Sequence, residues 1–297
     1  MLAAHAAATE ALPLYGHPNS PRKFTQPQLF ACLVLKEFLR LDYRGLACFL
    51  ADVDNLTGLI GLSTVPHFTT FQKAADRLLR AVRARRVFDA VLRQAVQAKL
   101  LHPRPQRAAL DATGLESHYT SRYFLFRQKH GKTSRQKQYT SYPMASLLCD
   151  CASYLVVALA TGRGPRSAVR RVPALLRSAR RRVRIRLLLA DADYDAEWVH
   201  AHARTVYGMR TLIPPKRGRP TSQPATGRWR RRMQTHWDQK TYGQRWHGET
   251  VHSLLKRRLG SALRARSYAS QNREILLRVI TLNLMILAWV ELFYRAD

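Results

Sequence analysis

The chain is predicted to be mixed α/β, with an all-helical segment before the sheet-forming part and a long apolar helix after it. Three observations predict this. From Phe24 to about Leu100, apolar residues recur at three- and four-residue intervals, the period of helices with one buried face. At HPRPQR, His102–Arg107, the pattern changes to short apolar runs bounded by turn residues, which read as strands. Three such runs come in succession and are followed by alternating helix and strand, which describes a mixed sheet rather than a doubly wound one.

In chain order, residues 1–23 are Ala-rich without a clear apolar face and read as a loose N-terminal arm. Residues 24–100 form the helical domain. FTQPQLFACLVLKEFLRL and DYRGLACFLAD are amphipathic, and a Gly-bearing link leads into the basic stretch TTFQKAADRLLRAVRARRVFDAVLRQAVQAKL. Short helices with a basic one last permit either a helix-turn-helix that contacts DNA or an ordinary bundle. Residues 101–297 form the α/β domain. Its strand-like runs are AALDATGL, MASLLCD, YLVVALAT, RIRLLLADADYD and MRTLIPP; SAVRRVPALLRSARRR and DAEWVHAHARTVYG are helical. A basic Pro/Gly/Arg-rich stretch at about 214–240 reads as a mobile loop. The apolar run Ile275–Tyr294 is interrupted by Arg278, Asn283 and Glu291; it predicts a buried C-terminal helix at about 272–294 rather than a membrane span.

A chain of 297 residues can bury one large core or two modest ones. Its charge is lopsided: Lys+Arg 50 against Asp+Glu 19, formally +31, with a pI near 11.2. Such self-repulsion calls for a polyanionic partner, and nucleic acid fits better than a membrane surface because the cations are spread along the chain. Cys32, Cys48, Cys149 and Cys151 show neither metal-ligand spacing nor a disulfide framework, which suits a reducing cytoplasm. The N-terminus has no basic start and carries Glu10, unlike a secretory leader.

Two acids follow apolar strand-like runs, Asp111 in RAALDATGLE and Asp191 in RIRLLLADADYD. A carboxylate at the end of a buried strand costs desolvation energy unless a cation or donor satisfies it. Either acid alone is commonly a turn or helix cap. Together, in so cationic a chain, they offer the oxygen ligands that a hard divalent metal prefers. A third acid, Glu249, is the one carboxylate between Gln239 and Arg273. On a continuous helix Arg245, Glu249 and Lys256 would fall within about 60° of Tyr242. Val251, Leu254 and Leu255 would lie roughly opposite, able to pack on a core. Gly248 is a mild mark against that helix, costing about 1 kcal/mol relative to Ala.

The spacing Tyr242-x2-Arg245-x3-Glu249-x6-Lys256 resembles the Y-R-E-K signature of insertion-sequence transposases of the DDE type, in the insertion-sequence four/five superfamily. LDATGLE around Asp111 and LADADYDAEWV around Asp191 resemble that family's first and second acidic blocks. The likeness runs from about Phe24 to Tyr294. It implies an RNase H-like catalytic core with Asp111, Asp191 and Glu249 as catalytic residues and metal ligands, holding two Mg2+ ions, with Mn2+ as substitute. It also implies that Arg245 and Lys256 bind DNA phosphates and that Tyr242 lies near the cleavage site. The partners would be double-stranded DNA, both element ends and target, and a second copy of the chain, since two ends must be brought together. A cytoplasmic, nucleoid-associated location goes with such an activity.

Two positions depart from the family pattern. Asp193 stands where the second block usually has Gly, and Arg166–Ser167 where relatives often have His and Asp. They are the support for an alternative reading, a catalytically silent DNA-binding protein derived from a transposase. A ribosomal-type RNA binder would explain the charge but not the Y-R-E-K spacing. HGKT at His130–Thr133 lacks the upstream Gly of a phosphate-binding loop, Phe126 standing there, so no nucleotide cofactor is expected. Glu116, Asp150, Asp195 and Glu197 read as solvated or capping acids. His200 and His202, two apart on a helix, cannot share a face for zinc. Trp229 and Trp237 are candidates for stacking on bases.

Overall fold

A computed structural model describes residues 1–117, 142–164, 167–216 and 225–294. The chain divides into two compact units. One holds Met1–Leu101, Leu254–Gly260 and the chain from Arg273; the other holds His102–Ser253 and Ser261–Asn272.

The first unit is helical: α1 Leu2–Ala11, α2 Gln26–Phe38, α3 Tyr43–Asp52, α4 Asp54–Gly58, α5 Phe68–Leu78 and α6 Ala81–Gln97. The first half of the expected loose arm is in fact the helix α1, whose Ala4, Ala7 and Ala8 are buried against α2 and α6. Alanine is the best helix former and needs no room, so small residues can dock closely where no large apolar stripe announces a face. Helix α2 starts at a capping box, Thr25 accepting from Gln28 N while the Gln28 side chain accepts from Thr25 N. The long basic stretch is divided into α5 and α6 at Arg80, whose backbone is extended.

The second unit is built on strands β1 Arg107–Gly114, β2 Glu116–Ser117, β3 Tyr142–Asp150 and β4 Val156–Gly164. Helix α7, Val172–Arg180, then leads to β5 Leu187–Ala190, α8 Glu197–Tyr207 and β6 Arg210–Leu212. The five-stranded sheet has the order β4-β3-β1-β5-β6. β1 is antiparallel to β3 and parallel to β5, and β5 is parallel to β6. This is the mixed, RNase H-like arrangement expected from the sequence. Its core is short apolar chemistry: Ala108, Ala109, Leu110, Leu188, Leu189 and Ala190 are all buried.

The expected loop at 214–240 instead carries helices α9 Arg228–Thr235 and α10 Gln239–Gly243. Their first turns are satisfied by acids: Glu197 accepts from Trp229 N and Arg230 N, and Asp238 from Thr241 N. A cap supplied by Glu197, so far back in sequence, is invisible to local pattern. Helix α11, Trp246–Leu259, follows, then β7 Ala262–Leu263, paired parallel with β2, and helix α12 Tyr268–Tyr294.

The C-terminal helix, expected to belong to the catalytic domain, groups with the helical unit from Arg273 onward. Its apolar residues Ile275, Val279, Ile280 and Leu282 are buried. So is Arg278, which donates to Glu37 (2.8 Å), Glu274 (2.7 Å) and the Gly260 carbonyl (2.6 Å). Those acids explain how an apolar helix tolerates a buried cation. No helix among the described residues is long and apolar enough to cross a membrane. Cys32, Cys149 and Cys151 are buried thiols and Cys48 is exposed.

Candidate active site

The parallel pairing of β1 with β5 ends with Leu110 opposite Ala190. The next residue on each strand is an acid, Asp111 and Asp191, so the two carboxylates leave neighbouring strands at matched positions. From Asp111 on, β1 pairs with β3 alone, and the end of β5 leaves this edge open. Strand alternation and register therefore deliver two acids to one place, each at the margin of the core: Ala108–Leu110 are buried and Asp111 is half-buried.

Both carboxylates have one oxygen engaged locally. Asp111 Oδ1 accepts from Ala112 N at 2.8 Å, and Asp191 Oδ1 accepts from Asp193 N at 3.0 Å, capping the 3-10 turn Ala192–Tyr194. The capping role considered for each acid is thus present, and it does not satisfy them. Burial pushes the Asp111 carboxyl above the usual range, against the opposing pull of the Ala112 amide and Arg245, with Glu249 adding to the rise. Burial also raises Asp191, and the charges of Asp111 and Asp193 raise it further. Two acids held short of positive charge at one sheet edge are a recognisable functional arrangement.

Helix α11 is laid directly on β1. A Cβ on Gly248 would stand 3.4 Å from Ala109 Cβ and 3.5 Å from Asp111 Cβ. The residue that looked unfavourable for a helix is therefore one that faces the strand, and it brings the next residue, Glu249, into the field of Asp111. Val251 on the same helix is buried. His252, which no sequence motif singles out, lies with Nε2 3.7 Å from Asp111 Oδ2. One signal does point to it: it stands three residues after Glu249, one turn along.

The single continuous helix expected through Tyr242, Arg245, Glu249 and Lys256 is two helices. Tyr242 lies in the last turn of α10, Arg245 lies in the link, and Glu249 lies in the first turn of α11. Backbone bonds Gln244 N to Thr241 O, Arg245 N to Tyr242 O, His247 N to Gln244 O and Gly248 N to Arg245 O all span three residues. This is the tighter 3-10 turn, adopted between Gly243 and Gly248. The first three side chains still meet. The Arg245 guanidinium is 5.9 Å from the Tyr242 ring centroid and forms an ion pair with Glu249. Burial alone would lower the Arg245 pKa, but Glu249, Tyr242 and Asp111 raise it, so the guanidinium stays charged. Lys256 lies further along α11, half-buried, in the part that groups with the helical unit.

The structure thus brings together Asp111, Asp191, Tyr242 and Arg245, with Glu249 turned to Arg245 and its side chain 58% exposed. Among the described residues, no group of three or more His, Cys, Asp or Glu side chains is gathered closely enough to enclose a metal ion. The donor set nonetheless fits a hard divalent cation: two carboxylates whose ionised forms are penalised by burial and mutual repulsion.

The other residues singled out from sequence lie as follows. Asp193 is exposed and pairs with Lys216 at 3.3 Å, while its backbone N–H donates to Asp191. Ser167 caps the 3-10 turn Ala168–Arg171; Arg166 and His130–Thr133 lie outside the described residues. Asp150 is buried and accepts from Ser153. His200 is buried against Thr211, and His202 faces Tyr207. Trp229 lies between Arg204 and Arg228, and Trp237 against Tyr242.

The sequence model of a family described as "Transposase DDE domain" matches residues 102–284, more than half of the chain. Among solved structures, the chain is similar to a piggyBac transposase in a synaptic complex with hairpin DNA, at 9% identity and TM-score 0.49, covering 100% of this chain and 72% of that one. It is also similar to the Mos1 transposase in a strand transfer complex, at 13% identity and TM-score 0.30, covering 92% and 79%. No curated protein matches the sequence.

Proposed function

This chain belongs to the family of DDE-domain transposases, and from that premise we propose that it is the transposase of an insertion sequence. It binds the terminal inverted repeats of its element and catalyses metal-dependent cleavage and strand transfer by in-line attack on phosphodiesters. The observation that carries this reading is the matched placement of Asp111 and Asp191 at the end of the β1–β5 pairing, both with raised carboxyl pKa values.

Asp111 and Asp191 would hold the metal, Asp111 through the oxygen that lies 3.7 Å from His252 Nε2, and Glu249 would complete the set on leaving Arg245. Bound there, a pair of Mg2+ or Mn2+ ions would activate a water or a 3′-hydroxyl and stabilise the leaving oxygen. Arg245, released from Glu249, is then placed to take a DNA phosphate as its counter-charge. Tyr242 stays against Arg245; its hydroxyl pKa is raised by burial first and by Asp191 and Glu249, so it acts as a neutral hydrogen-bonding group rather than a nucleophile. Lys256 provides a second phosphate contact along the same helix. The helical unit, with exposed Arg85 and Arg86 on α6, supplies further DNA contact. A second copy of the chain holds the other element end, and work on chromosomal DNA places the protein at the nucleoid.

The silent-protein alternative is the less favoured reading, because Asp193 pairs with Lys216 and all three acids are present in the sequence. A Mg2+-dependent nicking assay on DNA bearing the cognate ends tests the proposal. Asp111→Asn, Asp191→Asn and Glu249→Gln are expected to abolish cleavage while end binding persists. Full strand transfer by Glu249→Gln would overturn the metal assignment, and wild-type binding without cutting would favour the silent protein.

A further inference from the structure

Helix α9, Arg228–Thr235, reads RWRRRMQT and buries only Met233. An eight-residue helix with so little apolar burial is not stable by itself. It is held by acids from the segment that follows Asp191. Glu197 accepts from Trp229 N at 3.1 Å and from Arg230 N at 3.1 Å. Asp195, its side chain fully buried, takes the Arg230 guanidinium as a fork, with bonds of 2.9, 3.0 and 2.7 Å. Gly227 has φ +100°, and a Cβ there would come within 2.3 Å of a Glu197 oxygen, so the chain enters the helix by a path that glycine alone fits comfortably.

The consequence is a fixed basic surface. With Arg230 turned inward, Arg228, Arg231 and Arg232 are exposed, and among the described residues none of the three pairs with a carboxylate. Arg204 and Arg228 both lie on the Trp229 ring, at 4.2 and 4.8 Å from its centroid. Burial lowers the Arg204 pKa, and the charges of Arg232 and Arg210 lower it further. The cluster is therefore self-repelling, yet anchored by Asp195 and Glu197 rather than left to a mobile loop. A solvated charge run needs no such anchor.

We propose that the exposed face of helix Arg228–Thr235 is a docking surface for the backbone of double-stranded DNA, fixed by Asp195 and Glu197 to the loop that presents Asp191. The proposal rests on the transposase reading and adds where the duplex is gripped. Rigid guanidinium groups suit phosphates, and a grip tied to the Asp191 loop sets the position of the duplex relative to that acid. A membrane partner fits poorly, because the helix exposes no apolar residue able to insert.

The test compares the full chain with Arg228, Arg231 and Arg232 changed to Gln against a control with Arg177, Arg180 and Arg181 changed to Gln. The control removes the same charge from other exposed positions of the second unit. Binding to a DNA duplex is measured over a salt series. Removing one arginine–phosphate pairing should reduce the slope of log K against log salt by about 0.9. The helix variant is expected to lose roughly two to three units of slope and the control less than one. Equal slopes for the two variants, or an unchanged slope for the helix variant, would overturn the proposal. A larger effect on binding to an RNA duplex than to DNA would overturn the DNA assignment. Failure of the wild-type chain to bind DNA at all would instead strike the transposase reading.

Discussion

Removing a charge from the candidate active site should stabilise the cation-free protein, and Asp191→Asn is the cleanest way to test this. Its Oδ1 accepts from Asp193 N, and asparagine keeps that acceptor, so the turn Ala192–Tyr194 remains capped while the charge is removed. Neighbouring strands lie about 4.8 Å apart, which puts the two carboxylates at roughly 5–6 Å. At an effective dielectric of about 20 their repulsion is about 3 kcal/mol. Losing the attraction to Arg245 offsets part of this, leaving a gain on the order of 1–2 kcal/mol. For a chain of this size that is a rise of about 2–6 °C in thermal midpoint, measured in chelator. Mg2+ reverses the order. At about 100 times its Kd a cation adds about 2.7 kcal/mol to the wild type, and the variant, missing a ligand, gains less. The pH dependence follows from the same shift. With the folded pKa of Asp191 raised, the wild type recovers stability as pH falls through that pKa towards the unfolded value near 3.9. The advantage of the variant therefore shrinks in acid. A lower midpoint for Asp191→Asn in chelator, or equal Mg2+ shifts for both proteins, would refute the reasoning.

Other consequences are open to measurement. Gly248→Ala places its methyl in ordinary contact with Ala109 and Asp111 and should retain cleavage, whereas Gly248→Leu should lift α11 from β1 and abolish it; both are read by nicking rates at matched folding. Arg230→Gln leaves the buried Asp195 without its fork and should cost about 2–4 kcal/mol in urea unfolding. Although burial works against it, Asp195 has its pKa lowered by Arg230 and the Lys216 amide. The stabilisation it contributes is present above the unfolded pKa and lost as pH falls through the folded one, so Arg230→Gln should flatten the acid limb of the stability curve. Gly227→Ala should destabilise α9 by at least about 1 kcal/mol through its positive φ and the clash with Glu197, seen as faster proteolysis of residues 225–235. Arg278→Leu takes from the buried Glu37 its nearer cation, leaving Lys36 at 3.4 Å, and should cost about 2–4 kcal/mol by thermal or urea unfolding.

Much of the fold is legible in local pattern. Asp111 and Asp191 stand out because apolar runs precede each, and the C-terminal helix because its apolar period is strong. The helix Leu2–Ala11 is hidden because alanines show no stripe, and their burial depends on partners from α2 and α6. The helix Arg228–Thr235 is hidden because its composition is that of a loop and its stability comes from Glu197 and Asp195. The break before α11 is hidden because two glycines allow a 3-10 link that preserves the Tyr242–Arg245–Glu249 cluster while ending the helix.

By itself the sequence determined the succession of helical segment, strands and C-terminal helix, the polyanion-seeking charge and the spacing of the Y-R-E-K residues, because period, composition and spacing are properties of neighbours along the chain. The tertiary structure decided that Asp111 and Asp191 share one sheet edge, that Gly248 lets α11 settle on β1, and that Glu249 rests on Arg245. These outcomes depend on strand register and on the desolvation of charges brought together from distant segments. Neither exists until the chain has folded.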